Sequence, residues 1–285
     1  MKKRRLSNHK LMSKIATILG IIIGSIILLL SMIDYQQGQF IYAFLNWQGL
    51  ALVLGGTFAA ILINYPLSQV GCVFKGFSKV LTSEPSGYSD IIEEMVHLSH
   101  ISKQKGLLAV ENQIDIIEDR YFRFALTEML VYQDTQILRQ SLENRLFNMR
   151  LRHLSCQEVY GNMASYAPAF GMMGTVMGLI IMMTTQVADT GSPYGGAETQ
   201  DMLGSLLSGM GLALVTTFYG VMFSNLVFLP IAGKLKVLTD AEVLRNEMII
   251  QGVIALKKSE STLLVKEQLL AFVNEKTKQK LESLR

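Results

Sequence analysis

The chain has 285 residues, of which half are hydrophobic and only 17% are charged, against the roughly 25% charged residues usual in a soluble globular domain. That balance excludes an ordinary soluble domain and points to lipid. The formal net charge of +3 follows from where the basic residues sit in a membrane topology and carries no nucleic-acid signal.

The opening MKKRR before an apolar run imitates a secretory leader, but the run is long and lacks a small-x-small cleavage pattern before Asp34. Residues 1–14 are therefore read as a cytoplasmic N-terminus and Ile15 to Ile33 as the first membrane span. Gly49 to Tyr65 is the second span, so residues 15–65 hold transmembrane helices 1 and 2. Tyr35, Tyr42 and Trp47 fall where an aromatic belt would lie at the outer interface. Segment 67 to 87 reads as a connector, broken by Gly71, Gly76, Pro85 and Gly87 after Pro66. A helix is expected from Asp90, with Glu93 completing a capping box, then further helices over Leu107–Ile117 and Tyr121–Leu138 after the break at Gly106. From Gln140 to Ser165 only Gly161 interrupts, so one helix is expected to run into the third span, Tyr166 to Val187. The fourth, Leu203 to Pro230, is expected to continue through Val237 into a tail whose pattern Val243, Leu244, Met248, Ile249, Val253, Ile254, Leu256 is amphipathic and packs on the loop helices.

These elements predict an all-α integral membrane protein with four transmembrane helices and long helices extending into a helical cytoplasmic domain. The expected divisions are a helical cytoplasmic domain at 66–164, transmembrane helices 3 and 4 at 165–230 and a helical cytoplasmic tail at 231–285. The basic residues fix the orientation, because cytoplasmic flanks accumulate Lys and Arg. Six precede the first span, ten lie between spans two and three, and ten follow span four, which accounts for all 26. The two other connections carry none and belong outside, so both termini lie inside. Cys72 and Cys156 then face a reducing compartment, and no disulfide is expected.

Spans three and four contain no Asp, Glu, Lys, Arg or His. They hold small residues instead, at three- and four-residue steps: Gly171, Gly174, Thr175 and Gly178 in one, Gly209, Ala213, Thr216, Thr217, Gly220 and Ser224 in the other. Such faces allow close helix packing. The hydroxyls of Thr175, Thr216 and Thr217, with the carbonyl freed by Pro168, could instead line a wet or ion-passing cleft. Neither face can relay a proton alone, since proton carriers need titratable groups. If the chain conducts ions, the carboxylate comes from another chain, and the small residues make a groove for that partner's helix.

The stretch ALVTTFYGVMFSNLVFLP, residues 213–230, resembles the signature of the MotA/PomA family of flagellar stator subunits, matching at Ala213, Leu214, Thr216, Thr217, Phe218, Gly220, Met222 and Pro230. APAFGMMGTVMGLI is similar to that family's third span, and the likeness extends over nearly the whole chain. It implies a homo-pentamer around a dimer of a MotB/PomB-type subunit carrying the ion-binding Asp, in the bacterial inner membrane, pushing on the rotor switch protein FliG. Pro168 and Pro230 match the two prolines tied to torque generation. Lys103 matches a position usually held by Arg and Glu111 its acidic counterpart, so rotor interaction is expected there, with Lys lacking the planar fork of Arg. The outer loop between spans three and four is longer than the family pattern, and the tail lacks a proline-containing stretch.

Thr175, Thr216 and Thr217 match positions where sodium-driven members carry hydroxyls. A sodium ion shedding water needs several oxygen ligands and a proton needs one base, so Na+ is the preferred transported ion over H+. No cofactor or metal and no enzymatic activity are expected. Glu93, His97 and His100, with His153 and Cys156, have partial metal-like spacing without a full ligand set, and no phosphate loop or nucleophile elbow is present. The alternative within ion transport is a TolQ/ExbB-type energising subunit; such proteins usually have three spans and begin outside.

Overall fold

The structure, a computed structural model, describes residues 19–20, 22–34, 39–40, 44–82, 88–189, 198–273 and 278–279. Expectations for residues 1–18, for Tyr35 and Tyr42, and for the outer loop at 190–197 lie outside the described residues. In chain order the elements are α1 (Ile22–Ser31), a two-residue antiparallel ladder of β1 (Ile33–Asp34) with β2 (Gln39–Phe40), α2 (Trp47–Asn64), α3 (Leu67–Val70), α4 (Cys72–Thr82), α5 (Tyr88–Lys105), a 3-10 turn (Leu107–Val110), α6 (Glu111–Ile114), α7 (Arg120–Val131), α8 (Thr135–Asp189), α9 (Glu198–Met222), a π turn (Phe223–Phe228), α10 (Leu229–Lys257) and α11 (Thr262–Leu270). The fold is all-α apart from that short ladder. Among the described residues, helical stretches within Trp47–Asn64, Thr135–Thr184 and Leu206–Lys257 are long and apolar enough to cross a bilayer, and α1 is a shorter apolar helix.

The chain forms two compact units, residues 1–84 with 155–236, and residues 85–154 with 237–285. In the first, α2 is apolar on every side, as a helix facing lipid must be, and buries only Gly49, Val53, Thr57 and Ile61, one residue per turn. Asn46 caps it, its side-chain oxygen accepting from the Gly49 N–H at 3.0 Å. The core joins Val53 and Ile61 to Val159, Tyr160, Met163 and Ala167 of α8 and to Val215 and Tyr219 of α9. Over its described residues, 67–82, the connector is more regular than its breakers suggest; Pro85 and Gly87 lie outside the described residues. Gly76 does not break α4 but admits a neighbour, since a Cβ there would stand 3.0 Å from the Tyr160 ring and 3.4 Å from the Cys156 sulfur. The Tyr160 hydroxyl donates to the Val73 carbonyl at 2.5 Å, tying α4 to α8.

In the second unit, Ile91, Ile92, Met95 and Leu98 of α5, Phe122, Leu126 and Met129 of α7, and Leu138 and Leu142 of α8 pack with Met248, Ile249, Val253 and Ile254 of α10. The amphipathic tail therefore lies on the loop helices, as its pattern predicts. Boundaries differ from the sequence reading in three places. Residues 107–117 split into a 3-10 turn and α6 after Gly106, whose φ of +83° reverses the chain at little cost only for glycine. The pattern over Tyr121–Leu138 stops at Val131, and Asp134 starts α8 by accepting from the Gln136 N–H at 2.7 Å. Ser261 caps a separate α11, accepting from the Leu264 N–H at 3.2 Å.

Candidate functional site

The small residues of spans three and four meet one another. A Cβ on Gly171 would lie 2.9 Å from the Thr216 carbonyl oxygen and 3.2 Å from the Thr217 Cα. On Gly178 it would lie 2.6 Å from the Gly209 carbonyl and 2.9 Å from the Ala213 Cβ, and on Gly220, 2.6 Å from the Ala167 carbonyl and 3.0 Å from the Pro168 Cα. Gly174 receives the Thr216 side chain, with its Cβ position 2.5 Å from the Thr216 Cβ. Backbone thus touches backbone along the α8–α9 seam, which only glycine permits and which replaces the hydrophobic drive that lipid removes. Gly171, Gly174 and Gly178 of the third span therefore pack against Gly209, Ala213, Thr216 and Gly220 of the fourth within one chain.

The three threonines are not gathered into one cavity. Thr216 is fully buried, wedged between Gly174 and Gly49 of α2, and its hydroxyl donates to the Ala213 carbonyl at 2.9 Å. Its enclosure gives it a packing role where the sequence reading expected a wet face. Thr217 turns away from the seam and lines an apolar cavity of about 480 Å³ with Gly24, Ile27 and Leu28 of α1 and with Phe218 and Leu226. Its hydroxyl donates to the same Ala213 carbonyl at 3.4 Å. Thr175, half-buried, donates to the Met172 carbonyl at 2.6 Å. Each hydroxyl proton is spent on its own helix, leaving oxygen lone pairs as acceptors for a cation or water.

Pro168 stands at one end of the glycine contacts, beside Gly220, and Pro230 follows beyond that same end. Pro168 lies inside α8 and has no N–H to give the carbonyl four residues back, that of Ala164. The Ser224 hydroxyl fills that vacancy, donating to the Ala164 carbonyl at 2.6 Å with both residues buried. Ser224 belongs to the π turn Phe223–Phe228, where the Leu229 N–H reaches back five residues to the Ser224 carbonyl. This widened turn ends just before Pro230, whose ring would otherwise crowd the carbonyl four residues earlier. Sequence reading placed Ser224 on the small-residue face but gave its hydroxyl no partner. The signal was there, because a proline in a buried helix always orphans one carbonyl.

Lys103 stands exposed in the last turn of α5, and Glu111, also exposed, opens α6. The turn at Gly106 separates them. Glu93, His97 and His100 are exposed on α5, while His153 Nδ1 lies 3.8 Å from a Glu242 carboxylate oxygen. Cys72 and Cys156 are free thiols, the Cys156 sulfur lying 3.4 Å from the Cys72 carbonyl oxygen.

A model of the MotA/TolQ/ExbB proton channel family matches residues 113–248, from α6 across α9 into α10. The motility protein A of Treponema phagedenis is 32% identical over 240 residues, covering 84% of this chain and 87% of that protein. The motility protein A of Treponema pallidum is 31% identical over 233 residues, covering 82% and 85%. The solved structure of the flagellar MotAB stator complex from Bacillus subtilis shares the fold with a TM-score of 0.77 at 21% identity, covering 92% of this chain and 97% of that one. The seam signature at 213–230 and the likeness to these relatives along the chain agree: the chain belongs to the motility protein A group of the MotA/TolQ/ExbB proton channel family.

Proposed function

We propose that this flagellar stator subunit forms its ion channel with a MotB/PomB-type partner, and that the channel turns the flow of sodium ions, or of protons, into torque on the rotor. One observation carries the two-component reading: residues 166–187 and 203–230 contain no Asp, Glu, Lys, Arg or His, so the charge carrier in the membrane has to be a carboxylate brought by another chain. The Bacillus subtilis structure is of a MotAB complex, which supports that assembly. In this reading five copies surround a dimer of the partner in the bacterial cytoplasmic membrane, with both termini inside. The ion path runs between copies past Thr175 and Thr217, whose oxygens keep acceptor capacity, while Thr216 holds the seam. An ion that neutralises the partner's aspartate lowers its cost in the apolar surroundings by several kcal/mol, on the order expected for a buried charge, and the next copy rotates past it. Pro168 and Pro230 give the helices their flexure, and Lys103 and Glu111, exposed at the start and end of one turn, push on FliG.

Deleting the chain leaves flagella assembled but paralysed, scored by electron microscopy and swimming assays; normal swimming in the absence of any second stator set contradicts the proposal. Swimming speed against external sodium at fixed pH decides the ion. Speed that falls to zero without sodium supports Na+, and speed that does not change assigns H+.

A further inference from the structure

We propose that Ser224 is a positioning residue of the ion-driven cycle, one that couples the two prolines into a single joint. Its hydroxyl gives the Ala164 carbonyl the hydrogen bond that Pro168 cannot, and its own carbonyl closes the π turn that precedes Pro230. Both Ser224 and Ala164 are buried, so water cannot take over the orphaned carbonyl, and leaving it bare carries a desolvation penalty. The joint lies where the two helices are in backbone contact, next to Gly220 and Pro168. Any flexure of α8 at Pro168 must therefore either break the Ser224 bond or carry Ser224 along. If Ser224 follows, its carbonyl moves with it, and the bond from the Leu229 N–H transmits the movement to the residue before Pro230. A hydroxyl suits this role because it rotates about a single bond and can release and regain its acceptor without disturbing backbone dihedrals. This inference rests on the stator reading for its role in the cycle, but the coupling itself does not.

The experiment is a four-member cycle in a host lacking its own stator genes, with the full chain and its B-type partner expressed together: wild type, Ser224→Ala, Pro168→Ala and the double variant, with Ser224→Thr as the conservative control. Swimming speed, membrane abundance and the thermal midpoint of the purified complex are measured. Ser224→Ala should reduce speed about two- to tenfold at unchanged abundance, the factor by which losing one hydrogen bond moves a two-state equilibrium, and Ser224→Thr should restore it. Because Pro168→Ala returns the missing N–H, Ser224→Ala should lower the thermal midpoint less in the Pro168→Ala background than in wild type. Wild-type speed in Ser224→Ala, or an equal fall in midpoint in the two backgrounds, overturns the proposal. Should Ser224→Ala fail to accumulate, Pro168→Ala must restore accumulation, and its failure to do so also overturns it. If even the wild-type chain gives no swimming, the stator reading fails, and the joint is then judged on thermal midpoints: non-additive losses support it and additive losses reject it.

Discussion

Gly178 and Gly233 show how the same substitution takes opposite signs at two helical glycines. An added methyl at Gly178 would meet the Gly209 carbonyl at 2.6 Å, and backbone cannot yield as a flexible side chain can, whereas nothing lies within 4 Å of the corresponding position at Gly233. Gly178→Ala should lower stability by about 1–3 kcal/mol, and Gly233→Ala in α10 should raise it by up to about 1 kcal/mol. Thermal midpoints of the two purified variants check this; equal shifts would contradict it. Glu94 on α5 offers a pH test of the same kind. Burial raises its carboxyl above the ordinary value, the nearby Asp90, Asp119 and Glu118 carboxylates add to the rise, and Arg245 opposes it. The folded state therefore holds its proton to higher pH than the unfolded chain does, so this group removes stability as pH rises through the window above the ordinary carboxylate value. Glu94→Gln should match wild type near pH 4 and exceed it near pH 8, as measured by thermal unfolding at the two pH values. A variant less stable than wild type at pH 8 would refute the assignment.

At the scale of elements, Asp119 does two jobs with one carboxylate. One oxygen accepts from the Phe122 N–H at 2.7 Å and caps α7, and the other pairs with the Arg245 guanidinium of α10. Both side chains are only about 15% exposed, so removing the acid strands a poorly solvated cation. Asp119→Ala should cost about 3–5 kcal/mol, combining a lost cap with an unpaired charge. Asp119→Asn keeps the capping oxygen and should cost clearly less, which separates the cap from the ion pair in denaturant titrations. The helices themselves were legible where periodicity was long and uninterrupted. α8 runs unbroken for 55 residues through Pro168, as its pattern predicts. α4 was not legible, because Gly76 signals a break in sequence but serves as a contact point under Tyr160 in the fold.

At the scale of the whole molecule, the stator reading concentrates rotor contact on charges that make no structural demand. Lys103 and Glu111 are exposed, so changing their sign should leave folding intact, surface substitutions being usually within about 0.5 kcal/mol. Lys103→Glu is expected to cut swimming severely at normal membrane abundance, with Lys103→Arg retaining it, because the proposed contact depends on positive charge. Loss of abundance in Lys103→Glu would instead give the residue a structural role. The membrane-embedded part behaves in the opposite way: its residues carry no charge and nearly every one at the seam is in contact, so substitution there changes assembly before it changes chemistry.

Composition and periodicity by themselves determined that the chain is helical and lies in lipid, that its charges gather outside the spans, and that spans three and four own no acid. Those properties follow from residue type and spacing alone, because crossing hydrocarbon constrains every residue of a span independently. Tertiary structure decided which face meets which. It turned Thr216 into the seam and Thr217 away from it, packed the glycines of the third span against the fourth, and gave the carbonyl orphaned by Pro168 to Ser224, 60 residues along the chain. Such pairings depend on the relative rotation and register of two helices, which helical periodicity within each one leaves free.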